Sequence, residues 1–256
     1  MLKELVKLMP RENYIFVADQ FNVPYGEKTK AELEKITLNI CKFLVSKKSK
    51  IVVAACNTAT CHALSFLRSR VNVPVVGTVP AIKPAAERSL SGKIGVLSTP
   101  ATAKSAYLKD LIKVHAPNMR VIRIGCLNLE NAVETGDLNS PKVSRLLTKY
   151  IKPVKDAGAD IIVLGCTHYP FLKNQIKQLA GGKIKTIDSG RAVARRTKKL
   201  LKDMDILNKS ADSAGDIDFY TTGNQNKFSR VASVLLGRPV KARRIILSTN
   251  FPLPRP

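Results

Sequence analysis

Short apolar runs alternate with longer amphipathic segments along the chain. The short runs are rich in Val and Ile, as buried strands are, whereas the longer segments place Leu, Ile and Phe at helical spacing. Strands that alternate with helices favour right-handed βαβ units on mainly parallel sheets. The predicted strands are 13–18, a run from Ile51, 74–79, 93–97, 120–125, a run from Ile161, 184–187, 216–221 and 242–247. The predicted helices are 2–8, 27–47, one through Leu64 and Leu67, 82–90, 102–114, 129–135, 143–157, 191–204 and 225–236.

Two of the apolar runs end in a cysteine that small polar residues follow. The sequence IVVAACNTAT brings Cys56 to a predicted strand end, and IIVLGCTHYP does the same for Cys166. Ligands of open parallel sheets bind beyond the carboxyl ends of the strands, where both thiols fall. A single cysteine in such a place is more often a packing residue, but two in matching local contexts favour chemistry.

The residues after each thiol are suited to bind an anion. Asn57-Thr58 follows the first thiol and Thr167-His168 follows the second, at what we predict to be helix starts. Their side chains offer hydrogen bonds, and the backbone N–H groups at a helix N-terminus attract a carboxylate. The same field lowers the pKa of a nearby thiol towards the thiolate form. Each half of the chain is therefore expected to supply one base and one anion-binding turn.

Two opposed thiols suit the inversion of a stereocentre next to a carboxylate. One group removes the α-proton from one face while the other delivers a proton to the opposite face, and the reverse reaction exchanges the roles. A zinc site that uses Cys56, Cys61, His62, Cys166 and His168 is a second possibility. It is disfavoured because a helix after Cys56 would turn Cys61 and His62 away, and because no CxxC pair exists.

The chain is strongly basic, with 43 Lys and Arg residues against 19 Asp and Glu residues and a formal net charge of +24. Such an excess favours contact with polyanions or acidic substrates. The basic residues are scattered, and no zinc-finger or RNA-recognition signature accompanies them. An ordinary solvated surface is therefore the preferred interpretation over a dedicated nucleic-acid site.

The cysteine count and the apolar runs indicate the compartment. Five cysteines, an odd number, do not suit a disulfide framework, and Cys41, Cys61 and Cys126 are predicted to be packing residues. No apolar run has the length of a membrane span, and the first residues lack the layout of a signal peptide. We expect a soluble, cytoplasmic protein.

Six short motifs fall in the order found in one enzyme family. They are VPYG at 23–26, CNT at 56–58, VPAIKP at 79–84, GCTHYP at 165–170, DSGR at 188–191 and TTG at 221–223. Together they resemble the motifs of glutamate racemases, cofactor-independent enzymes that make D-glutamate for peptidoglycan. The resemblance runs from about Leu2 to Leu247.

The resemblance implies an α/β fold of two pseudo-symmetric α/β domains with mainly parallel sheets. The first domain would comprise 1–79 plus 188–256 and the second 80–187, with the active site in the interdomain cleft. Glutamate would be the substrate, and racemisation would need no cofactor, neither pyridoxal phosphate nor a metal.

Specific roles also follow from the resemblance. Cys56 and Cys166 would be the two catalytic acid/base residues, with His168 assisting Cys166. Thr102 and Glu134 match weaker family positions. The residues that match substrate-contacting positions are Tyr25, Gly26, Asn57, Thr58, Thr167 and His168.

The beginning of the sequence departs from the family pattern. The family opens with a strand and a glycine-rich Asp-Ser-Gly loop, whose Asp assists the first cysteine, whereas this sequence begins in what would be the following helix. Two expectations stay open, a start codon assigned too late and a chain that lacks the loop. An in-frame Asp-Ser-Gly codon run upstream of Met1 would distinguish them. The loop that starts at Asp19 also differs from the sequence more common in the family at this position, although the Asp itself is retained.

Two other classes of protein fit parts of the sequence. A related two-cysteine enzyme, an aspartate racemase or a maleate isomerase, would differ in the side-chain length that its site accepts. A catalytically impaired basic binding protein on the same fold would retain DNA in a salt-sensitive manner without exchanging an α-proton. Beyond glutamate, a second copy of the chain in a homodimer is a possible partner. Contact with nucleic acid or DNA gyrase is another possibility, although no sequence motif supports it.

Overall fold

The structure is a computed structural model that describes residues 1–209 and 214–247. The strands are β1 (Tyr14–Ala18), β2 (Val52–Ala54), β3 (Val75–Gly77), β4 (Lys93–Ser98), β5 (Arg120–Gly125), β6 (Ile161–Leu164), β7 (Lys185–Asp188), β8 (Ile217–Thr221) and β9 (Ala242–Arg244). The helices are α1 (Leu2–Leu8), α2 (Lys30–Ser46), α3 (Asn57–Arg68), α4 (Ile82–Ala86), α5 (Pro100–Lys104), α6 (Ala106–His115), α7 (Leu129–Thr135), α8 (Pro141–Asp156), α9 (Lys173–Ala180), α10 (Gly190–Asp203) and α11 (Gln225–Leu236). None of these helices combines the length and the apolar character that a membrane crossing requires.

Strand pairing among the described residues is parallel throughout. One sheet has the order β5-β4-β6-β7, a second has the order β1-β8-β9, and β2 pairs with β3. In the first sheet Ile94 lies beside Ile161 and Leu97 beside Leu164. Because parallel strands run the same way, the chain leaves β4 and β6 at one common edge of the sheet. The predicted α/β fold class with mainly parallel sheets is confirmed.

The described chain divides into two compact units. The first unit comprises Met1–Ala55, His62–Thr78 and the described part of Gly190–Pro256, and the second comprises Cys56–Cys61 and Val79–Ser189. Helix α3 therefore begins in the second unit and ends in the first. The sequence predicts two domains, 1–79 plus 188–256 and 80–187. That these ranges are independently folding domains stays a prediction. Their residues 210–213 and 248–256 lie outside the part of the chain that the structure describes.

Helices pack on both faces of the four-stranded sheet in the second unit. Ile94 and Val96 of β4 are fully buried and pack in one cluster with Leu108 of α6. Gly95 points to the opposite face, where a Cβ would overlap the side chain of Val154 in α8. Strands buried on both faces read as continuous apolar runs, which is the pattern that β4 and β6 show in the sequence.

The first unit is held by its own apolar clusters. Phe16 of β1 lies with its ring centroid 5.8 Å from that of Phe219 in β8 and 6.1 Å from that of Phe228 in α11. A second cluster joins Val52 of β2 to Cys41 of α2. Cys41 is thus a core residue, as predicted.

Two local expectations are wrong. The helix predicted over 102–114 is two helices, α5 and α6, because Ser105 has an extended backbone (φ −62°, ψ 143°) and its hydroxyl accepts a hydrogen bond from the N–H of Leu108 as the cap of α6. Helix α9 is absent from the predicted elements, since its eight residues bury only Ile176 and Ala180 and so give little periodicity.

Candidate active site

The edge at which β4 and β6 end leads into one of the two thiol motifs. The N–H of Gly165 donates to the carbonyl of Leu97 (2.7 Å), so the strand pairing continues one residue past β6. A Cβ at Gly165 would lie 3.0 Å from that carbonyl oxygen and 3.1 Å from Cβ of Ser98, closer than ordinary packing allows. Glycine is therefore favoured by close approach, and it delivers Cys166 directly beyond the sheet edge.

The other thiol motif is tied to the same turn. Asn57, the first residue of α3 and only 4% exposed, donates from Nδ2 to the carbonyl of Gly165 (2.8 Å). Because that carbonyl requires a donor, the orientation of the amide is fixed and Oδ1 faces the other way. Oδ1 of Asn57 is buried and has no hydrogen-bond partner among the described residues. A buried acceptor without a donor is costly, and it is available to an N–H group of a ligand.

Three hydroxyl groups connect the start of α3 to the end of β4. Oγ1 of Thr58 lies 3.4 Å from Oγ1 of Thr102, and the hydroxyl of Thr99 donates to Oγ1 of Thr102 at 3.1 Å. Thr58 and Thr102 are 5% and 2% exposed. Thr99 is not among the residues predicted from the sequence, because its only sequence signal is that of a helix cap, and its Oγ1 does accept from the N–H of Thr102 in α5.

Cys166 belongs to a chain of three interacting residues. Its Sγ lies 3.6 Å from Nδ1 of His168, and Nε2 of His168 lies 2.8 Å from Oε1 of Glu134 in α7. Burial by itself lowers the pKa of His168, but the hydrogen bonds and negative charges of Cys166 and Glu134 outweigh burial and raise that pKa well above its ordinary value. The ring of His168 is therefore protonated at neutral pH and can donate to both partners.

The two thiols interact electrostatically. Burial raises the pKa of Cys56, and a negative charge on Cys166 raises it further, against the lowering effects of the Ala59 and Thr58 N–H groups and of the His168 charge. The net direction is upward, so Cys56 holds its proton at neutral pH. The expectation that a helix start lowers the pKa of this thiol is therefore wrong, because burial outweighs the N–H groups of α3. Cys56 is partly exposed, whereas Cys166 is 8% exposed.

Six of the eight predicted site residues belong to the second unit, and Tyr25 and Gly26 belong to the first. The six are Cys56, Asn57, Thr58, Cys166, Thr167 and His168. Tyr25 lies in a short 3₁₀ turn and donates its hydroxyl to Oδ2 of Asp19 (2.6 Å), a carboxylate that also accepts from Thr222 (2.8 Å) and Asn22 (2.9 Å). The assignment of the eight residues to a substrate site stays a prediction.

The remaining cysteines of the second unit lie near the two thiols. Burial raises the pKa of Cys61 to about 12, and a charge on Cys56 contributes to this rise. Cys126 follows β5 and is fully buried. Over 1–209 and 214–247, no group of three or more His, Cys, Asp or Glu residues is arranged to hold a metal ion.

Comparison with known proteins identifies the family. The model of the Asp/Glu/hydantoin racemase family matches residues 1–197. The chain belongs to this family. Among its curated relatives, the glutamate racemase of Roseiflexus sp. (strain RS-1) is 41% identical over 231 residues, which are 90% of this chain and 85% of that protein. The glutamate racemase of Herpetosiphon aurantiacus is 38% identical over 234 residues, 91% of this chain and 92% of that protein. The family resemblance read from the six motifs is confirmed.

Solved structures of glutamate racemases share the fold of this family member. An isoform from Bacillus anthracis superposes with a TM-score of 0.83 at 28% identity, covering 96% of this chain and 92% of that one. The Escherichia coli glutamate racemase, crystallised with L-glutamate and the activator UDP-MurNAc-Ala, superposes with a TM-score of 0.82 at 28% identity, covering 95% and 91%.

Proposed function

We propose that this racemase interconverts L- and D-glutamate by proton transfer between the substrate α-carbon and two cysteines, Cys56 and Cys166. In one direction a thiolate removes the α-proton and the opposite thiol donates its proton to the other face of the carbanion. The products are the mirror-image amino acid and a cysteine pair whose protonation is exchanged, and the reverse reaction restores it.

The observation that carries this proposal is the unequal environment of the two thiols. Burial raises the pKa of Cys56, whereas Sγ of Cys166 lies 3.6 Å from Nδ1 of His168, within reach of a hydrogen bond to the ring. One thiol and one thiolate are the two forms that a two-base reaction needs at the start of a cycle. Glu134 holds His168 from its far side (2.8 Å) and so acts as a positioning residue.

Polar groups around the thiols are suited to an amino acid. We propose that the unpaired Oδ1 of Asn57 accepts from the substrate ammonium group. Thr58, Thr167 and the backbone N–H groups at the start of α3 would then hold the substrate carboxylate, since helix N-termini attract anions. Tyr25 and Gly26 are proposed as further substrate contacts on the strength of their motif.

Single serine variants test the two-base assignment. Cys56→Ser and Cys166→Ser should each lower the rate of racemisation by about 10³-fold, within the range for loss of a general acid or base. In deuterated water each variant should still exchange the α-proton of one enantiomer, because the remaining cysteine can remove a proton and return a deuteron on its own face. Circular dichroism would follow racemisation and proton NMR would follow exchange.

Cys41→Ala, which removes a core thiol of the first unit, is the matched control and should racemise glutamate like the unmodified chain. Full turnover in either serine variant would contradict the assignment. Incubation with L-aspartate and with maleate separates glutamate from the other two-cysteine chemistries, which the names of the relatives do not favour.

The remaining expectations concern location and partners. We propose a cytoplasmic enzyme that supplies D-glutamate for peptidoglycan, the role general to glutamate racemases. A homodimer and a contact with nucleic acid or gyrase stay predictions. Sedimentation equilibrium would measure the first, and retention on immobilised DNA at increasing salt would measure the second.

A further inference from the structure

One edge of the four-stranded sheet in the second unit is open. Strand β5 pairs with β4, and no further strand pairs with it within 1–209 and 214–247. The N–H of Arg120 donates to the carbonyl of Gly92 (2.9 Å), and the N–H of Cys126 donates to the carbonyl of Ser98 (2.7 Å). Backbone bonding alternates along a strand, so the even-numbered residues of β5 face β4. The N–H and C=O groups of its odd-numbered residues therefore point away from the sheet.

An open groove lies beside this edge, formed by residues of α6, of β5 and of the turn between them. Its volume is about 310 Å³. Its apolar lining is Ile112, Met119 and Val121, and its charged lining is Lys109 and Arg123. Val121 and Arg123 lie on one face of β5, because side chains alternate between the two faces of a strand. An extended segment paired with β5 could thus place alternate side chains in the groove, as in recognition by strand addition.

The charge of the groove indicates the kind of partner that it fits. Lys109 is exposed, and its side chain has no ion pair or hydrogen bond in the described part of the chain. Arg123 is also exposed and donates from Nη1 to the carbonyl of Ala103 (3.4 Å), a neutral partner that leaves its charge uncompensated. The described lining contains no acidic side chain. Two cations beside an apolar centre complement a segment in which acidic residues flank an apolar one.

A second copy of this chain is disfavoured at the same edge. Two β5 strands side by side would bring Arg120 and Arg123 of one copy next to the same residues of the other, and like charges on neighbouring strands destabilise their pairing. The formal net charge of +24 adds long-range repulsion between copies. Charged residues on edge strands are a general protection against self-pairing. This protection does not act against a partner of opposite charge.

We propose that the edge of β5 and the adjoining groove bind an extended acidic segment of another protein by strand addition. The backbone of the segment pairs with the outward N–H and C=O groups of Val121, Arg123 and Gly125. One apolar side chain of the segment enters the groove, and acidic side chains two positions away on either side meet Lys109 and Arg123. Main-chain pairing supplies affinity, while the alternate side chains supply specificity. This interaction is independent of the proposed racemase activity.

Fluorescence anisotropy with a labelled peptide tests the proposal on the full chain. The probe is Ser-Glu-Ser-Val-Ser-Glu-Ser with blocked termini, which places Glu, Val and Glu on one side of an extended backbone. A peptide with Lys in place of both Glu residues should bind at least about tenfold more weakly, because its charges repel those of the groove. Equal binding of the two peptides, or no binding of the acidic probe at about 1 mM, would overturn the proposal.

Backbone esters in the acidic probe separate strand addition from charge attraction. In an antiparallel addition the N–H groups that face β5 belong to the residues that face the groove, and in a parallel addition they belong to the alternate residues. An ester in place of the amide N–H of the central Val, or of the Ser after it, removes one donor from one set or the other. One of the two esters should weaken binding about fivefold while the other changes it little, and the weakened one reports the strand direction. Equal affinities of the two ester peptides would contradict strand addition.

Charge variants of the protein locate the binding surface. Lys109→Glu/Arg123→Glu should lower the affinity for the acidic probe at least about tenfold. The matched control is Arg195→Glu/Arg196→Glu, an equal change of charge at exposed positions of α10 in the first unit, which should lower the affinity less than about twofold in about 0.1 M salt. Equal weakening by the two variants would mean a general attraction to a basic protein and would overturn the assignment. Glutamate racemisation by both variants checks that they fold.

Discussion

At the scale of single residues, the candidate active site depends on where protons are held. Cys56 keeps its proton because burial disfavours the thiolate, and His168 keeps its second proton because two negative partners favour the imidazolium. Asn57 links the two motifs by donating to the residue before Cys166. The protonation of the site is therefore set by contacts that reach well beyond the thiols themselves.

Glu134→Gln should lower the pKa of His168 towards its ordinary value, because the amide keeps the size of the side chain and removes its charge. NMR titration of the ring signals of His168 would measure this fall in its pKa. Glu87→Gln, an exposed carboxylate elsewhere in the second unit, is the control. An unmoved His168 pKa would show that Glu134 does not set its charge.

The same variant has a consequence for stability. A raised folded-state pKa adds free energy of unfolding that is fully present below the ordinary value of 6.5 and is lost as the pH rises through the raised pKa. The original chain should therefore exceed Glu134→Gln in free energy of unfolding most clearly below pH 6.5, with the difference shrinking at higher pH. Urea denaturation across this range would measure it.

The motifs predict the thiols and their polar neighbours, because each motif is contiguous in sequence. They could not predict the bond from Asn57 to Gly165, which joins residues 108 positions apart, or the contact of Thr58 with Thr102, which are 44 positions apart. Contacts between residues so far apart in the chain produce no periodic pattern of apolar and polar residues in the sequence. Such pairs depend on how the strand ends converge, and only the tertiary structure contains that information.

At the scale of elements, periodicity decides what the sequence reveals. Helix α11 ends where its apolar spacing predicts, and α10 begins within one residue of its predicted start, because long amphipathic segments carry many repeats. The break between α5 and α6 depends on one serine hydroxyl, and α9 is too short to show a pattern. Helix breaks at a single cap and very short helices are therefore the elements that hydrophobic periodicity cannot predict.

Gly95→Ala should destabilise the second unit by about 1 to 3 kcal/mol, because its methyl group would overlap the side chain of Val154. Val154→Ala alone should cost about 2 kcal/mol through loss of buried methyl groups. The double variant should cost less than the sum, since the smaller side chain makes room. Gly182→Ala, with open space around its Cβ position, is the control and should change stability little. Additive costs in urea denaturation would contradict this packing.

At the scale of the whole molecule, the dominant feature is charge. The formal net charge of +24 opposes compaction through self-repulsion, while exposed ion pairs such as Lys152–Asp156 (2.8 Å) contribute little. A better placed pair is Lys50–Glu12 (2.8 Å), in which the Glu12 side chain is 7% exposed and also accepts from the N–H of Asn208 (2.7 Å). Salt weakens both kinds of interaction, so it raises stability by screening the repulsion and lowers stability by screening the local ion pairs.

Salt should raise the melting temperature of this protein. An increase from about 0.01 M to about 0.15 M shortens the Debye length from about 30 Å to about 8 Å and screens long-range repulsion more than close pairs. Differential scanning calorimetry in sodium chloride would measure the change, with sorbitol of equal osmolality as the control. A falling melting temperature would mean that local pairs outweigh the net charge.

The unequal exposure of the five thiols matters for covalent labelling. Cys41, Cys126 and Cys166 are buried, whereas Cys56 and Cys61 are partly exposed. A limited dose of a maleimide dye should therefore attach first at helix α3 and the residue before it, which provides an optical probe of this region while every cysteine of the natural chain stays in place.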